Sequence, residues 1–490
     1  VGFDVLSELR FFFPRISLFF LIAMVYNLLR PLKISLILSA PHSCGEVIPY
    51  LKVWGVLPGA FLFTYLFTRL QGRMNRERVF YSMVSLFFVF FVFFALVLFP
   101  GRDFWELTSL GDWLAHHTPP GLAGLVAMIR YWHYTLFYLF SELWGSVVLS
   151  MLFWGFINET TPLSQAKRFY GVFAFGANLA SIAAGKLGMT FSNPTVLESF
   201  PVGATHWEKS VYTILGITLI SCCLIVPIFS FLNRSLVLSS QDQPKNPSHK
   251  KETFTLMECF RGMIQTPYLR YLALIVFGYN IVFNLTDVLW TNQLRLYFSG
   301  RSLDLNNYMS QVTFMKGILA ATIALCLSGP ILNRLGWRFT ALITPGVLAI
   351  TSLIFFPLVL MNETSSLALS LSELFQDSIL GLSVFIGGVQ NCLTRASKYT
   401  VFDATKEIAY IPLSHMDQRK GKAVIDGIGS RIGKSGGSIS FQALLIFCSS
   451  IAATTPYVAV IIGIVIGMWI VSVYKLNGLM GQEKLPDHQV

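Results

Sequence analysis

Polar and ionisable residues recur at helical spacing inside stretches that are otherwise apolar. Tyr26, Arg30 and Lys33 stand at i, i+4 and i+7, which puts them on one face of a helix. Arg130, His133, Tyr134, Tyr138 and Glu142 fall close to one stripe of a second run. Asn280, Asn284 and Asp287 repeat the i, i+4, i+7 pattern, and another run carries Gln390, Asn391, Arg395 and Lys398. Asp426, Arg431 and Lys434 open the next run, with Ser438 on the same side. A charge at the centre of a membrane helix costs at least about 2.5–3.5 kcal/mol, so residues kept there are functional candidates. Lysine and arginine can give charge-assisted hydrogen bonds to a phosphate. Deep carboxylates such as Glu142 and Asp287 can carry a proton or form gating pairs, with His133 a distant third.

The elements that would position these groups are membrane helices. Of 490 residues, 54% are hydrophobic and 12% charged, against roughly 25% charged in an average soluble protein. Too little polar surface remains to coat a water-soluble body, and the class is an all-α polytopic membrane protein. About twelve runs have the length of roughly 20 residues that a spanning helix needs. They lie near 14–38, 50–69, 79–99, 125–156, 169–190, 211–232, 268–291, 308–333, 338–360, 376–398, 424–449 and 451–474. The polar stretch around Ser239 to Lys251 divides them six and six. Two bundles are expected, 1–235 and 267–490, joined by a cytoplasmic linker at 236–266. The first run is too long for a signal-peptide core; the chain starts at Val1 rather than Met, so loss of a short leader is expected.

The net charge of +11 has a topological explanation. With both termini inside, about 26 basic residues fall on the inner side, as the positive-inside rule requires. The outer loops keep a handful, Lys52 and Arg102 among them. No nucleic-acid polymer is needed as a partner; the lipid bilayer is the partner that composition demands. Five polar stripes, on the first, fourth, seventh, tenth and eleventh spans, predict a wet, positively biased cavity between two halves, a transporter layout.

Plainer roles compete for some of these residues. Arg130 could snorkel at the outer interface, Arg395 and Lys398 could anchor the inner one, and Asn280 and Asn284 could hold helices together. Gly433-Lys434-Ser435 resembles the end of a phosphate-binding loop, but the leading position is Ile428 and no strand precedes it. The surrounding glycines instead suit an anion site at a helix start, with Arg431 and Lys434 adding charge. The stretch Thr405 to Pro412 has the look of a polar loop closed by proline. The seven cysteines show no metal spacing, and a metal site at His116–His117 is not expected. No nucleophile–base or metal constellation appears, so neither an enzyme nor a cofactor is predicted.

Several stretches carry a resemblance that covers most of the chain. They are YNLLRPLK at 26–33, APHSCGEVIPYLKVW at 40–54, SELWGSVVLSMLFWGFINE at 141–159 and AKRFYGVFAFGANLAS at 166–181. The second half adds YNIVFNLTDVLW at 279–290, KYTVFDATKEIAYIPL at 398–413 and KGKAVIDGIGSRIGKSGGS at 420–438. The chain resembles the ATP/ADP translocase family of nucleotide transporters from plastids and obligate intracellular bacteria. That resemblance implies a twelve-span protein similar to the major facilitator fold. It also implies transport roles for Lys33, Glu142 and Lys434, with Asp287 where the family usually has Glu. Two further acidic positions differ: Ile34 replaces the Asp that usually follows the first-span lysine, and Ser414 replaces the Asp that follows Ile-Pro-Leu.

The expected function is import of nucleoside triphosphates through a bacterial inner membrane by alternating access. The three acidic departures favour proton-coupled net uptake, with ATP/ADP exchange as the alternative. A facilitator-type carrier for another phosphorylated anion is the alternative from a different class. Phosphate would be held by Lys33, Arg30, Lys434, Arg431 and Arg395. Tyr26, Tyr134, Tyr138 or Trp144 could stack on the base, and Asn280 and Asn284 could supply polar contacts. Lys33–Asp287 or Lys434–Glu142 pairs could gate the empty protein. A triphosphate carries about four charges, so entry against 100 mV opposes transport by roughly 9 kcal/mol, whereas exchange for a diphosphate moves about one charge.

Overall fold

The computed structural model describes residues 5–160, 163–239, 261, 264–326, 328–361, 363–422, 425 and 430–483. No strand occurs among them. The long helices are α1 (Val5–Leu38), α2 (Val47–Gln71), α3 (Arg76–Leu98), α4 (Trp132–Asn158), α5 (Leu163–Thr190), α6 (His206–Ser239), α7 (Pro267–Tyr297), α8 (Ser302–Cys326), α9 (Gly336–Leu360), α10 (Ile379–Tyr410), α11 (Ser430–Cys448) and α12 (Ile451–Glu483). Each of the twelve expected runs therefore overlaps one of these helices. Among the described residues, nine helices are long and apolar enough to cross a membrane by length and composition. The expected linker at 236–266 lies for the most part outside the described residues.

Two corrections follow from the helix ends. The run at 125–156 is not one helix. Tyr131, at φ −103° and ψ 49°, ends the helix Ala123–Arg130 before α4 begins at Trp132. Arg130 thus precedes the span, and its guanidinium pairs with Asp112 on the short helix Thr108–His117. Second, the stretch from Thr405 is no loop: α10 continues through Asp403–Tyr410, and Pro412 follows its end. The polar side chains there mark a helix leaving the apolar zone, which composition alone does not separate from a loop.

The chain groups into two compact units. One is built from Val1–Thr118, Ala123–Asn246 and Phe298–Ala321, the other from Pro119–Leu122, Pro247–Tyr297 and Thr322–Val490. In the first, α1 packs against α4, α5 and α6; in the second, α7 packs against α10, α11 and α12. The most apolar windows of α1 and α7 are 78% and 72% buried, more than those of the other spans. Each is the central helix of its unit, which is why a polar residue on either one meets protein rather than lipid. The two also share a local device. Asn27 donates its amide to the Ala23 carbonyl at 2.9 Å, and Asn280 donates to Val276 at 2.9 Å, each after a tyrosine.

Lipid tails are as apolar as leucine, so helix association here rests on close packing rather than on exclusion of water. Gly185 lets α5 meet α8: a Cβ there would lie 2.5 Å from the Phe314 amide nitrogen. Beside it Ser181 donates to the Thr313 carbonyl at 3.0 Å, and Asn306 donates to Ser192 at 2.9 Å. The α1–α4 contact is pinned by Trp144, whose indole donates to the Ile22 carbonyl at 3.0 Å. That buried tie leaves Trp144 no face for a nucleotide base, contrary to the expectation above.

Among the described residues, four of the long helices contain π-helical turns, at Leu51–Val56, Phe94–Leu98, Gly145–Phe153 and Lys398–Phe402. Such turns shift the side-chain register and are frequent at functional sites. Three of them adjoin the polar groups described next.

Candidate functional site

Each unit holds its own polar cluster on its central helix. In the first unit, Lys33 is only 3% exposed and forms an ion pair with Glu142, whose side chain is 36% exposed. The Lys33 ammonium also lies 4.7 Å from the centre of the Tyr138 ring, a favourable cation–π geometry. Lys33 comes from α1, while Tyr138 and Glu142 occupy successive turns of α4. Arg30 is 9% exposed, about one turn from Lys33. Its guanidinium has no hydrogen-bond or ion-pair partner among the described residues. A buried, uncompensated arginine on a membrane helix is a site prepared for an anion.

Tyr26 faces a different part of α4. A Cβ at Gly145 would lie 2.8 Å from Tyr26 Cε2, so the glycine makes room for that ring. Pro31 sits between Arg30 and Lys33 and has no N–H to offer the Asn27 carbonyl one turn back.

Lys52 was placed among the outer-loop basic residues by its position in the sequence. It instead lies in the π-helical turn of α2, half-buried, and its charge acts on Lys33 together with those of Glu142 and Arg30. The available signal was its place as the third residue of the run beginning at Tyr50. Tyr134 is not part of this group. It lies eight residues from Glu142, about 12 Å along α4, where it packs 4.2 Å from the His133 ring and stacks on Tyr131. His133 is buried there, and neither ring nitrogen has a hydrogen-bond partner among the described residues.

In the second unit, Asp287 of α7 accepts a hydrogen bond from the Asn391 amide of α10 at 3.1 Å. Asn284 donates to Ser438 of α11 at 2.7 Å, and Gln390 donates to Ser352 of α9 at 2.9 Å. The Asn280 amide nitrogen is engaged by its own helix, as noted above. Arg395 packs over the Phe283 ring at 4.7 Å. Lys398 lies 3.1 Å from Asp403 and over the rings of Tyr399 and Tyr279 at 4.5 and 5.9 Å. Residues five apart sit about 140° apart around an α-helix; the wider π turn at Lys398–Phe402 lets this pair meet. Asp403 had not been singled out from the sequence. Arg431 and Lys434 fall on α11, but their side chains lie outside the described residues.

Among the described residues, no group of histidine, cysteine and carboxylate side chains could hold a metal ion. Arg30 and Lys33, two buried cations on the central helix α1, with Glu142 opposite Lys33, suit passage of an anion through the membrane. The fold and the two clusters define a polytopic membrane transporter, all-α and major-facilitator-like. A bacterial homologue of the iron transporter ferroportin, crystallised in the inward-facing state, matches at TM-score 0.52 and 13% identity, over 97% of this chain and 99% of that one. A D-xylose–proton symporter matches at TM-score 0.52 and 12% identity, over 96% and 97%. At those identities the likeness concerns the fold alone.

Sequence relatives are more informative. A family model described as TLC ATP/ADP transporter matches residues 5–479. ADP,ATP carrier protein 1 of Chlamydia pneumoniae is 36% identical over 489 residues, covering 99% of this chain and 94% of that protein. The plastidic ATP/ADP-transporter of Solanum tuberosum is 34% identical over 477 residues, covering 97% and 74%. The chain belongs to the TLC ATP/ADP transporter family, a family of carriers rather than enzymes.

Proposed function

We propose that this protein exchanges ATP for ADP across a bacterial cytoplasmic membrane by alternating access. The observation that carries the reading is Arg30: a residue only 9% exposed whose guanidinium has no partner among the described residues, beside Lys33 on the central helix of its unit. Lys33 and Glu142 cancel each other, so Arg30 leaves that cluster with a positive charge for phosphate. Lys434, Arg431 and Arg395 supply phosphate contacts from the second half of the chain. Tyr26, four residues before Arg30, and Tyr138, whose ring faces the Lys33 ammonium, are the aromatic rings for the base, with Asn280 and Asn284 in lesser polar roles. Both termini are cytoplasmic, and residues 1–235 and 267–490 act as the two six-helix bundles.

Exchange is preferred to proton-coupled net uptake because relatives from both Chlamydia and plants carry the name of ATP/ADP carriers. It also reduces the charge moved per cycle to about one, roughly 2.3 kcal/mol per 100 mV. The acidic departures at Ile34, Asp287 and Ser414 remain the one argument for protons. Purified protein in liposomes, given labelled ATP with and without internal ADP and with and without a pH gradient, separates the two. Uptake that requires internal ADP and ignores the gradient supports exchange. Uptake into empty vesicles driven by the gradient refutes it, and uptake of hexose phosphate in preference to ATP refutes the nucleotide.

A further inference from the structure

Lys33 and Glu142 differ in one respect that decides how their ion pair can be used. The lysine is 3% exposed and the glutamate 36%. Glu142 is the sole ion-pair partner of Lys33 among the described residues. A lysine that deep is strongly destabilised whenever it lacks a counter-charge. Glu142 is exposed enough to turn its carboxylate toward water, whereas Lys33 cannot follow it. Arg30, about one turn away, has no carboxylate to give up.

We propose that Glu142 is a built-in competitor for substrate: its carboxylate occupies Lys33 while the site is empty, and an arriving phosphate displaces it. This rests on the nucleotide reading above and deepens it. Arg30 captures the phosphate first, since it requires no exchange of partners. The phosphate oxygen then takes the place of the carboxylate on Lys33, and Glu142 turns outward. On release the carboxylate returns, so the lysine has a counter-charge throughout the cycle. Glu142 is therefore a positioning residue whose presence weakens binding and speeds release. A residue that contacted substrate favourably would do the opposite.

The test is ATP and ADP binding to the full-length protein in detergent, measured by calorimetry, for wild type, Glu142→Gln, Lys33→Gln and the double variant. Glu142→Gln is expected to bind ATP about tenfold more tightly, with KM and kcat both falling in liposome exchange as release slows. The gain should vanish in the Lys33→Gln background, because the competition acts only through that lysine. If Glu142→Gln binds ATP no more tightly than wild type, or if the gain persists without Lys33, the proposal is overturned. Where Glu142→Gln does not yield folded protein, Glu142→Asp keeps the charge with a shorter reach. It is expected to tighten binding about threefold, and unchanged or weaker binding overturns the proposal equally. Absence of nucleotide binding to wild type would instead remove the functional reading itself.

Discussion

Asn391 donates its side-chain amide to Asp287 at 3.1 Å, joining α10 to α7 within the second unit. A hydrogen bond to a charged group contributes about 1.5–3 kcal/mol in water-soluble proteins, but side-chain bonds between membrane helices average about 0.6 kcal/mol. Asn391→Ala should therefore lower the thermal unfolding temperature only slightly. Its larger effect should be on exchange, because Asp287 loses the hydrogen bond that ties it to α10. A several-fold fall in ATP/ADP exchange with a nearly unchanged melting curve is expected. Loss of folded protein would mean that the bond is structural.

Arg30 yields a prediction of opposite sign for stability and function. A buried charge without a counterion opposes folding, so Arg30→Met, which keeps the aliphatic stem, should stabilise the empty protein by about 1–3 kcal/mol. It should also weaken ATP binding by tenfold or more, because a charge-assisted donor to phosphate is lost. A thermal melt without nucleotide and a binding isotherm report the two effects separately. A destabilised Arg30→Met would show that the guanidinium has a structural role.

The contact of α5 with α8 is set by small residues and is open to a steric test. Gly185→Val would place a Cβ within 2.5 Å of the Phe314 backbone. Backbone cannot move aside as a side-chain end can, and overpacking of this kind costs typically about 1–3 kcal/mol. Reduced thermal stability and reduced exchange are expected together. Gly216, where a Cβ would meet nothing within 4 Å, is the control: Gly216→Ala should leave both near wild type.

How much of this was legible beforehand follows from what each signal records. Hydropathy locates the helices, because crossing lipid requires about 20 apolar residues wherever it occurs. It does not record a break such as Tyr131, since the residues on either side are equally apolar. The i, i+4, i+7 spacing placed Arg30 and Lys33 on one face correctly. It could not supply Glu142 as the partner of Lys33, because 109 residues separate them; the expected pairs were Lys33–Asp287 and Lys434–Glu142, whereas Lys33 pairs with Glu142. Spacing also misleads where the helix itself changes pitch. Lys398 and Asp403 meet through a π turn, and Lys52, assigned to a loop, lies in another. Asn280 stood on the right stripe, yet its amide nitrogen serves its own helix, a choice that only coordinates reveal.

Lys52 offers a test of how the site distinguishes substrates that differ by one phosphate. Its charge acts on the Lys33 cluster, and ATP carries about one more negative charge than ADP. At a separation of about 8 Å and an effective dielectric of about 20, a pair of unit charges interacts by about 2 kcal/mol. Half-burial admits solvent screening that reduces this to about 1 kcal/mol. Lys52→Gln should therefore weaken the binding of both nucleotides, and ATP by about five times more than ADP. The ratio of the two Kd values, measured in the same buffer at low salt, isolates this term from any general loss of affinity. The difference should shrink as ionic strength rises, since a half-exposed charge is screened. A ratio unchanged by the substitution would place Lys52 away from the phosphate that distinguishes ATP from ADP, and leave Arg30 and Lys33 to hold the phosphates common to both.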